Sequence, residues 1–242
     1  MEEGLRRRYL EAMGIPQWVP RAPCVETPAW ERPSAAKAAP VPRQADSLGD
    51  RVPDWETLTR QVETCTRCTE LAASRTRTVF GVGDRQAPWL FIGEAPGVDE
   101  DRRGEPFVGR AGKLLDSMLA ALGLARGEGV YIANILKCRP PGNRDPKPEE
   151  ARACRAFLDG QIALIRPRVI VALGRIAAQN LLDTDAALGS LRGRPRDYQG
   201  IPVVVTYHPA YLLRKPLDKR KAWEDLCVAR RLMIRSPDKP VA

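Results

Sequence analysis

The chain has 242 residues, 43% of them hydrophobic, with a net charge of +9 and a single histidine. That length allows one large domain or two small ones around a sizeable core, and the charge favours an anionic partner, nucleic acid before a membrane surface. No run of roughly 18 apolar residues exists to span a membrane, and the N-terminus MEEGLRRRYLEAMG lacks a long apolar core and a small-residue cleavage site, so a cytoplasmic chain with reduced thiols is expected.

In chain order, residues 1–18 come first. The stretch 5-LRRRYLEAMGIPQW-18 reads as a short docking peptide or helix, because Tyr9, Leu10, Met13, Ile15 and Trp18 need an apolar surface, either the chain's own core or a partner. Residues 19–50 read as a Pro/Ala-rich flexible linker: eight prolines fall within the first 53 residues. From residue 51 the pattern becomes α/β and continues to residue 242. The runs 89-WLFIG-93, 130-VYIANIL-136, 168-RVIVALG-174 and 202-PVVVTYH-208 are continuously apolar, as expected of parallel strands buried on both faces. Helical patterns at 111–124, 149–165 and 218–234 alternate with them or follow them. The expected fold is a three-layer α/β/α sandwich around a central, mostly parallel four-stranded sheet. In such a sheet the site lies at the carboxyl ends of the strands. Those ends carry 93-GEAPG-97, Asn134 with Cys138, and His208-Pro209.

Cys65 and Cys68 form a C-x-x-C on an expected helix end, Cys138 opens a proline-rich loop after a strand, and Cys154 follows one helix later. Four thiols in a reducing compartment fit a structural zinc or an iron–sulfur cluster, and spacing does not choose between them. The segment 93-GEAPGVDEDRRGEPFVGRAGK-113 is a glycine-rich loop crowded with carboxylates, Glu94 and Glu100 among them. It lacks the G-x-x-x-x-G-K-[ST] phosphate-binding pattern, which argues against a nucleoside triphosphatase. Phe107 lies outside any apolar period, and the reading is either a plug for the local core or a platform for a base. Asn134 interrupts an apolar strand; its carboxamide can face an acceptor beside a donor, the edge that uracil offers and cytosine reverses.

Taken together, GEAPG, GEPFVGRAGK, ANILKCRPPGNR and HPAYLLR resemble the motifs of family 4 uracil-DNA glycosylases, the iron–sulfur-containing bacterial and archaeal branch, over residues 51–235. The resemblance implies a DNA repair enzyme that flips deoxyuridine out of DNA and hydrolyses its N-glycosidic bond. It implies a [4Fe–4S] cluster on Cys65, Cys68, Cys138 and Cys154, and contacts to uracil from Gly93, Glu94, Ala95, Phe107, Asn134 and His208. His208 would stabilise the leaving base, and Glu100, with Glu94 as its rival, would position the water. Tyr211, Leu212 and Leu213 are expected to form a wedge in the DNA stack, the alternative being a helix whose leucines face the core. Arg144 and Arg214, with neighbouring basic residues, are expected to hold phosphates. A sister branch that becomes trapped on uracil DNA carries a histidine-containing insert where this chain has 191-LRGRPRDYQG-200, so turnover is expected. The implied setting is the cytoplasm of a bacterium, in association with the nucleoid. The run 9-YLEAMGIPQWVPR-21 is similar to the N-terminal peptide of the clamp-loader psi subunit, which implies a replication partner. The competing readings are a non-catalytic single-stranded nucleic-acid-binding iron–sulfur module and a glycosylase for another deaminated base such as hypoxanthine.

Overall fold

The computed structural model describes residues 53–235; the peptide at 1–18, the linker at 19–50 and the clamp-loader docking run lie outside them. The first helix, α1 (Trp55–Glu63), starts where Asp54 accepts the Thr57 N–H at 2.8 Å, and it buries Leu58 and Val62. Then follow α2 (Thr69–Ser74), β1 (Val82–Gly83), β2 (Trp89–Gly93), α3 (Val98–Arg103), α4 (Arg110–Leu122) and β3 (Val130–Asn134). The second half contains α5 (Pro148–Ile165), β4 (Val169–Leu173), α6 (Arg175–Leu182), α7 (Leu188–Leu191), β5 (Arg196–Tyr198), β6 (Ile201–Thr206), α8 (Pro209–Arg214) and α9 (Lys219–Arg235).

The sheet order is β1-β3-β2-β4-β6-β5. The four expected strands form its parallel centre, and β1 and β5 add antiparallel edges. Among the described residues the sheet therefore has six strands rather than four. Both extra strands are too short to show a period. β1 has two residues, and β5 is a polar three-residue strand joined to β6 by a tight hairpin at Gln199 and Gly200. These two residues have φ of 52° and 83°, as a hairpin turn of the primed type requires.

Every residue of β2, β3 and β4 is buried, because helices cover both faces of the sheet. Trp89, Phe91, Ile132 and Val171 meet α4 and α9 on one face; Leu90, Ile92, Ala133 and Ile170 meet α5 and α6 on the other. A third apolar cluster joins α1 to α5 through Leu58, Val62, Leu71, Leu136 and Phe157. No helix among the described residues is long and apolar enough to cross a membrane.

Candidate active site

The chain runs from β2 to its neighbour β3 and then returns to the other side of β2 for β4. The resulting crevice opens at the carboxyl ends of the strands. There a cavity of about 500 Å³ is lined by Glu94, Ala95, Phe107, Asn134, His208, Tyr211 and Arg214. Strand register places Gly93 directly beside Asn134. A Cβ on Gly93 would lie 2.4 Å from Asn134 Oδ1 and 2.6 Å from the Phe107 ring, so only glycine leaves both side chains in place. Asn134 is 2% exposed, and its Oδ1 has no hydrogen-bond partner among the described residues. A buried carbonyl oxygen left unpaired costs about 1–3 kcal/mol.

Phe107 forms one wall of the cavity. Its φ of 55° is unusual for a bulky residue, and such backbone costs on the order of 1–3 kcal/mol unless its surroundings hold it. Here they do. Arg126 donates to the carbonyls of Pro106 at 3.0 Å and Phe107 at 2.8 Å while pairing with Asp116 at 2.9 Å. On the other side, Glu100 Oε1 accepts the N–H groups of Val108 at 3.0 Å and Gly109 at 3.2 Å. The Phe107 peptide is thus held by a cation at its carbonyls and an anion at the amides that follow. Gly112 completes the fit, since a Cβ there would meet the Phe107 carbonyl.

Beyond β6, His208 caps α8. Its Nδ1 accepts the Ala210 N–H at 3.1 Å, which leaves the ring proton on Nε2. The His208 ring lies 5.5 Å from that of Phe107. Burial, with a smaller push from the Arg214 cation, lowers the imidazole to about 4, so it is neutral at neutral pH. A Cβ on Gly174 would come within 2.9 Å of His208 Cβ, and Gly174 has a φ of 95° that disfavours other residues.

The two rival carboxylates differ sharply. Glu100 closes its own loop: Oε2 takes the Gly97 N–H at 3.1 Å and Oε1 takes the two amides named above. Both carboxylates line the cavity; burial, reinforced by Asp145 and opposed by Arg175, raises that of Glu94 to about 7.

The residues expected to contact DNA are placed as follows in the unbound protein. Leu212 is 1% exposed, buried where α8 packs on α4, and cannot serve as a wedge in this arrangement; the first residue pointing outward is Leu213, 37% exposed. Tyr211 is half-buried, stacked on Tyr207 at 5.1 Å, with its hydroxyl donated to Asp218 at 2.7 Å. Arg144 is bound bidentately to Glu150 at 2.6 and 2.9 Å and reaches Glu70 at 3.1 Å. In the unbound protein these pairs join α2 to α5, and Arg144 also lines the cavity.

Cys65 and Cys68 lie in the α1–α2 connection, and with the buried Cys138 and Cys154 they share the third apolar cluster. Burial raises the thiols of Cys68 and Cys138 and takes Cys154 up to about 11, while Arg75 donates to Cys138 Sγ at 3.0 Å. No three His, Cys, Asp or Glu side chains among the described residues close tightly enough to hold a single metal ion. Between this cluster and the cavity lies Lys137, 1% exposed, donating to the Asn134 carbonyl at 2.9 Å and to Gln161 Oε1 at 2.6 Å. A second concavity of about 560 Å³ near Arg152 and Asp183 gathers no comparable set, and its Arg155 is already bound to Asp159 and to the Asn180 carbonyl.

Comparison with known proteins agrees with this geometry. The family model described as "Uracil DNA glycosylase superfamily" matches residues 80–227. The chain is 48% identical over 167 residues to a type-4 uracil-DNA glycosylase of Archaeoglobus fulgidus, covering 66% of this chain and 83% of the relative. It is 47% identical over 161 residues to that of Thermotoga maritima, with the same two shares. A type-5 uracil-DNA glycosylase of Thermus thermophilus is 35% identical over 53% of this chain and 72% of its own length. With 48% and 47% identity to type-4 relatives across most of their length, the chain belongs to the uracil-DNA glycosylase superfamily, in its type-4 branch.

Proposed function

We propose that the protein excises uracil from DNA by hydrolysing the N-glycosidic bond of deoxyuridine, leaving an abasic site in DNA repair. The observation that carries the assignment of the site is the unpaired Asn134 Oδ1, buried between Gly93, Phe107 and His208. An extruded uracil would satisfy it, because N3–H donates where the amide oxygen waits and O4 accepts from the amide NH₂. Cytosine offers no donor at N3 and would leave that oxygen unpaired. Phe107 stacks on the base, and Gly93, Glu94 and Ala95 line the approach. His208 Nε2–H is aimed at the O2 on which charge collects as the bond breaks. Of the two carboxylates, Glu94 is the one available to orient water and balance the sugar cation, because Glu100 is committed to backbone amides. We therefore assign Glu100 to holding the Phe107 loop and Glu94 to the reaction. We assign residues 51–242 to the catalytic domain and, from its substrate, a nucleoid-associated cytoplasmic setting.

The four thiols share one apolar cluster, and it is the resemblance to the iron–sulfur-containing branch that favours a cluster over zinc. A [4Fe–4S] cluster held by Cys65, Cys68, Cys138 and Cys154 would supply a covalent cross-link of the α1–α2 connection to the 138–154 segment. No step of the hydrolysis passes through it.

The direct test is a purified sample given an oligonucleotide with one deoxyuridine, followed by alkaline cleavage of abasic sites. Strand scission is expected, together with iron and acid-labile sulfide in the same sample; intact strands would remove the assignment. Arg126 gives a sharper test of the loop geometry. Arg126→Leu is expected to lower kcat/KM by about 10²-fold, since a displacement near 1 Å at the site costs that much. Arg126→Lys, which keeps charge but loses the fork, is expected to fall between. Circular dichroism should stay unchanged in both, and wild-type kinetics in Arg126→Leu would refute the role.

A further inference from the structure

Lys137, 1% exposed, is the only buried cation among the described residues. Its backbone is fixed on the segment that follows β3. The Lys137 carbonyl accepts the Val79 N–H at 2.7 Å, and the amides of Ile135 and Leu136 donate to the carbonyls of Gly93 and Glu94 at 2.9 and 3.0 Å. The ammonium donates to the Asn134 carbonyl at 2.9 Å and to Gln161 Oε1 at 2.6 Å. Both acceptors are neutral. An ammonium has three N–H groups, and the third has no acceptor among the described residues.

Charge makes this placement unfavourable on its own. A buried ammonium is strongly disfavoured unless an anion faces it, and no carboxylate among the described residues pairs with Lys137. The groups that act on it by charge are the sulfurs of Cys154 and Cys138, which share one apolar cluster with Cys65 and Cys68. Free thiols are neutral and offset nothing. Thiols bound to a metal are deprotonated outright, and four of them around a [4Fe–4S] core leave a net negative group. The burial of Lys137 without a carboxylate thus fits four thiols that carry a metal-bound anion. Arg75, which donates to Cys138 Sγ at 3.0 Å, is only half-buried and open to screening by solvent; Lys137 is not.

Resting on the uracil-excision reading and on the cluster assignment, we propose that Lys137 is the counter-charge of the thiolate-held cluster and the positioning residue that ties it to the base-reading end of β3. On one side its ammonium offsets the negative charge of the cluster. On the other it holds the carbonyl of Asn134, whose side chain meets the base edge. The amides of Ile135 and Leu136 carry the same constraint to Gly93 and Glu94. Cluster and cavity are joined through one buried side chain.

The test uses the full chain with its cluster in place. A cation beside the cluster favours the reduced form, which carries one more negative charge. Lys137→Met, close in size and neutral, is therefore expected to lower the ratio of reduced to oxidised cluster at a fixed potential about tenfold, a shift of about 59 mV towards the negative. It should also lower kcat/KM on uracil DNA about tenfold, through displacement of the Asn134 carbonyl. Lys137→Arg, which keeps the charge and a donor, should stay within about twofold of wild type in the redox ratio. An unmoved ratio in Lys137→Met overturns the counter-charge even where activity falls, because a purely structural defect leaves the potential in place. Unchanged kcat/KM overturns the positioning role. Lys137→Met isolated without iron while Lys137→Arg holds it supports the proposal; loss of iron from both marks a packing residue and overturns it. If wild type holds the cluster but leaves uracil DNA intact, the functional reading fails, and the redox ratio still decides the counter-charge. Zinc or no metal in wild type fails the cluster assignment and the proposal with it.

Discussion

Replacing His208 by alanine is expected to lower kcat for uracil excision by about 10²–10³, the usual loss for one preorganised donor at a developing oxyanion. The geometry sets the sign of the pH dependence as well. Because Nδ1 accepts from the Ala210 N–H and burial holds the ring down at about 4, the imidazole stays a neutral Nε2–H donor throughout the range from pH 5 to 8. His208 therefore contributes no limb near its ordinary 6.5. Glu94 acts as its anion, and burial raises it to about 7, so kcat/KM should climb with pH through that value. In Glu94→Gln the limb should vanish along with most of the rate. A limb near pH 6.5 that disappears in His208→Ala would refute the neutral-donor role. Stability carries the same two shifts with opposite signs. The His208 shift costs stability as pH falls from 6.5 towards 4, where the unfolded chain takes up the proton first. The Glu94 shift costs stability as pH rises from 4.5 through 7, where the unfolded chain ionises first.

The sequence made the parallel centre of the sheet legible because burial on both faces writes an uninterrupted apolar run, as in Trp89–Gly93 and Val169–Leu173. The edge strands left no such trace. Val82–Gly83 is too short for a period, and Arg196–Tyr198 owes its pairing to the hairpin at Gln199 and Gly200. Residues that line the cavity, such as Asn134, Phe107 and His208, stood out because each breaks the local pattern at a strand end or in a loop. Residues that act by bracing did not. Arg126 reads as one loop arginine among many, and only the fold brings it to the carbonyls of Pro106 and Phe107, 20 and 19 positions back along the chain. Gly112 and Gly174 matter for what a Cβ would strike, which depends on neighbours far away in sequence or on a strained peptide. Leu212 misled for the complementary reason. Its motif suggests exposure, but α8 is a real helix and turns that leucine inward against α4. A six-residue helix is too short for periodicity to settle which face is buried. Arg144 likewise read as a free cation until the fold placed Glu70 and Glu150 around it.

Asn134→Ala is expected to lower kcat/KM on uracil by about 10³, because both hydrogen bonds to the base edge disappear in a site from which water is excluded. Stability is expected to move the other way. Among the described residues Oδ1 is a buried acceptor without a partner, a state that costs about 1–3 kcal/mol. Alanine removes that oxygen, so the melting temperature should hold or rise while excision collapses. The backbone of residue 134 should not relax meanwhile. Its carbonyl remains bound to the Lys137 ammonium, and Lys137 to Gln161, whose amide NH₂ donates to the Phe80 carbonyl at 2.9 Å. Kinetics and thermal denaturation on one preparation separate the cases. Loss of activity with a lowered melting temperature would make Asn134 a structural residue whose removal merely disturbs the strand end. Loss of activity at unchanged or higher stability would mean that the fold tolerates an unsatisfied oxygen at the end of β3 because the substrate satisfies it. That is the pattern expected when a polar group is buried for the ligand rather than for the core.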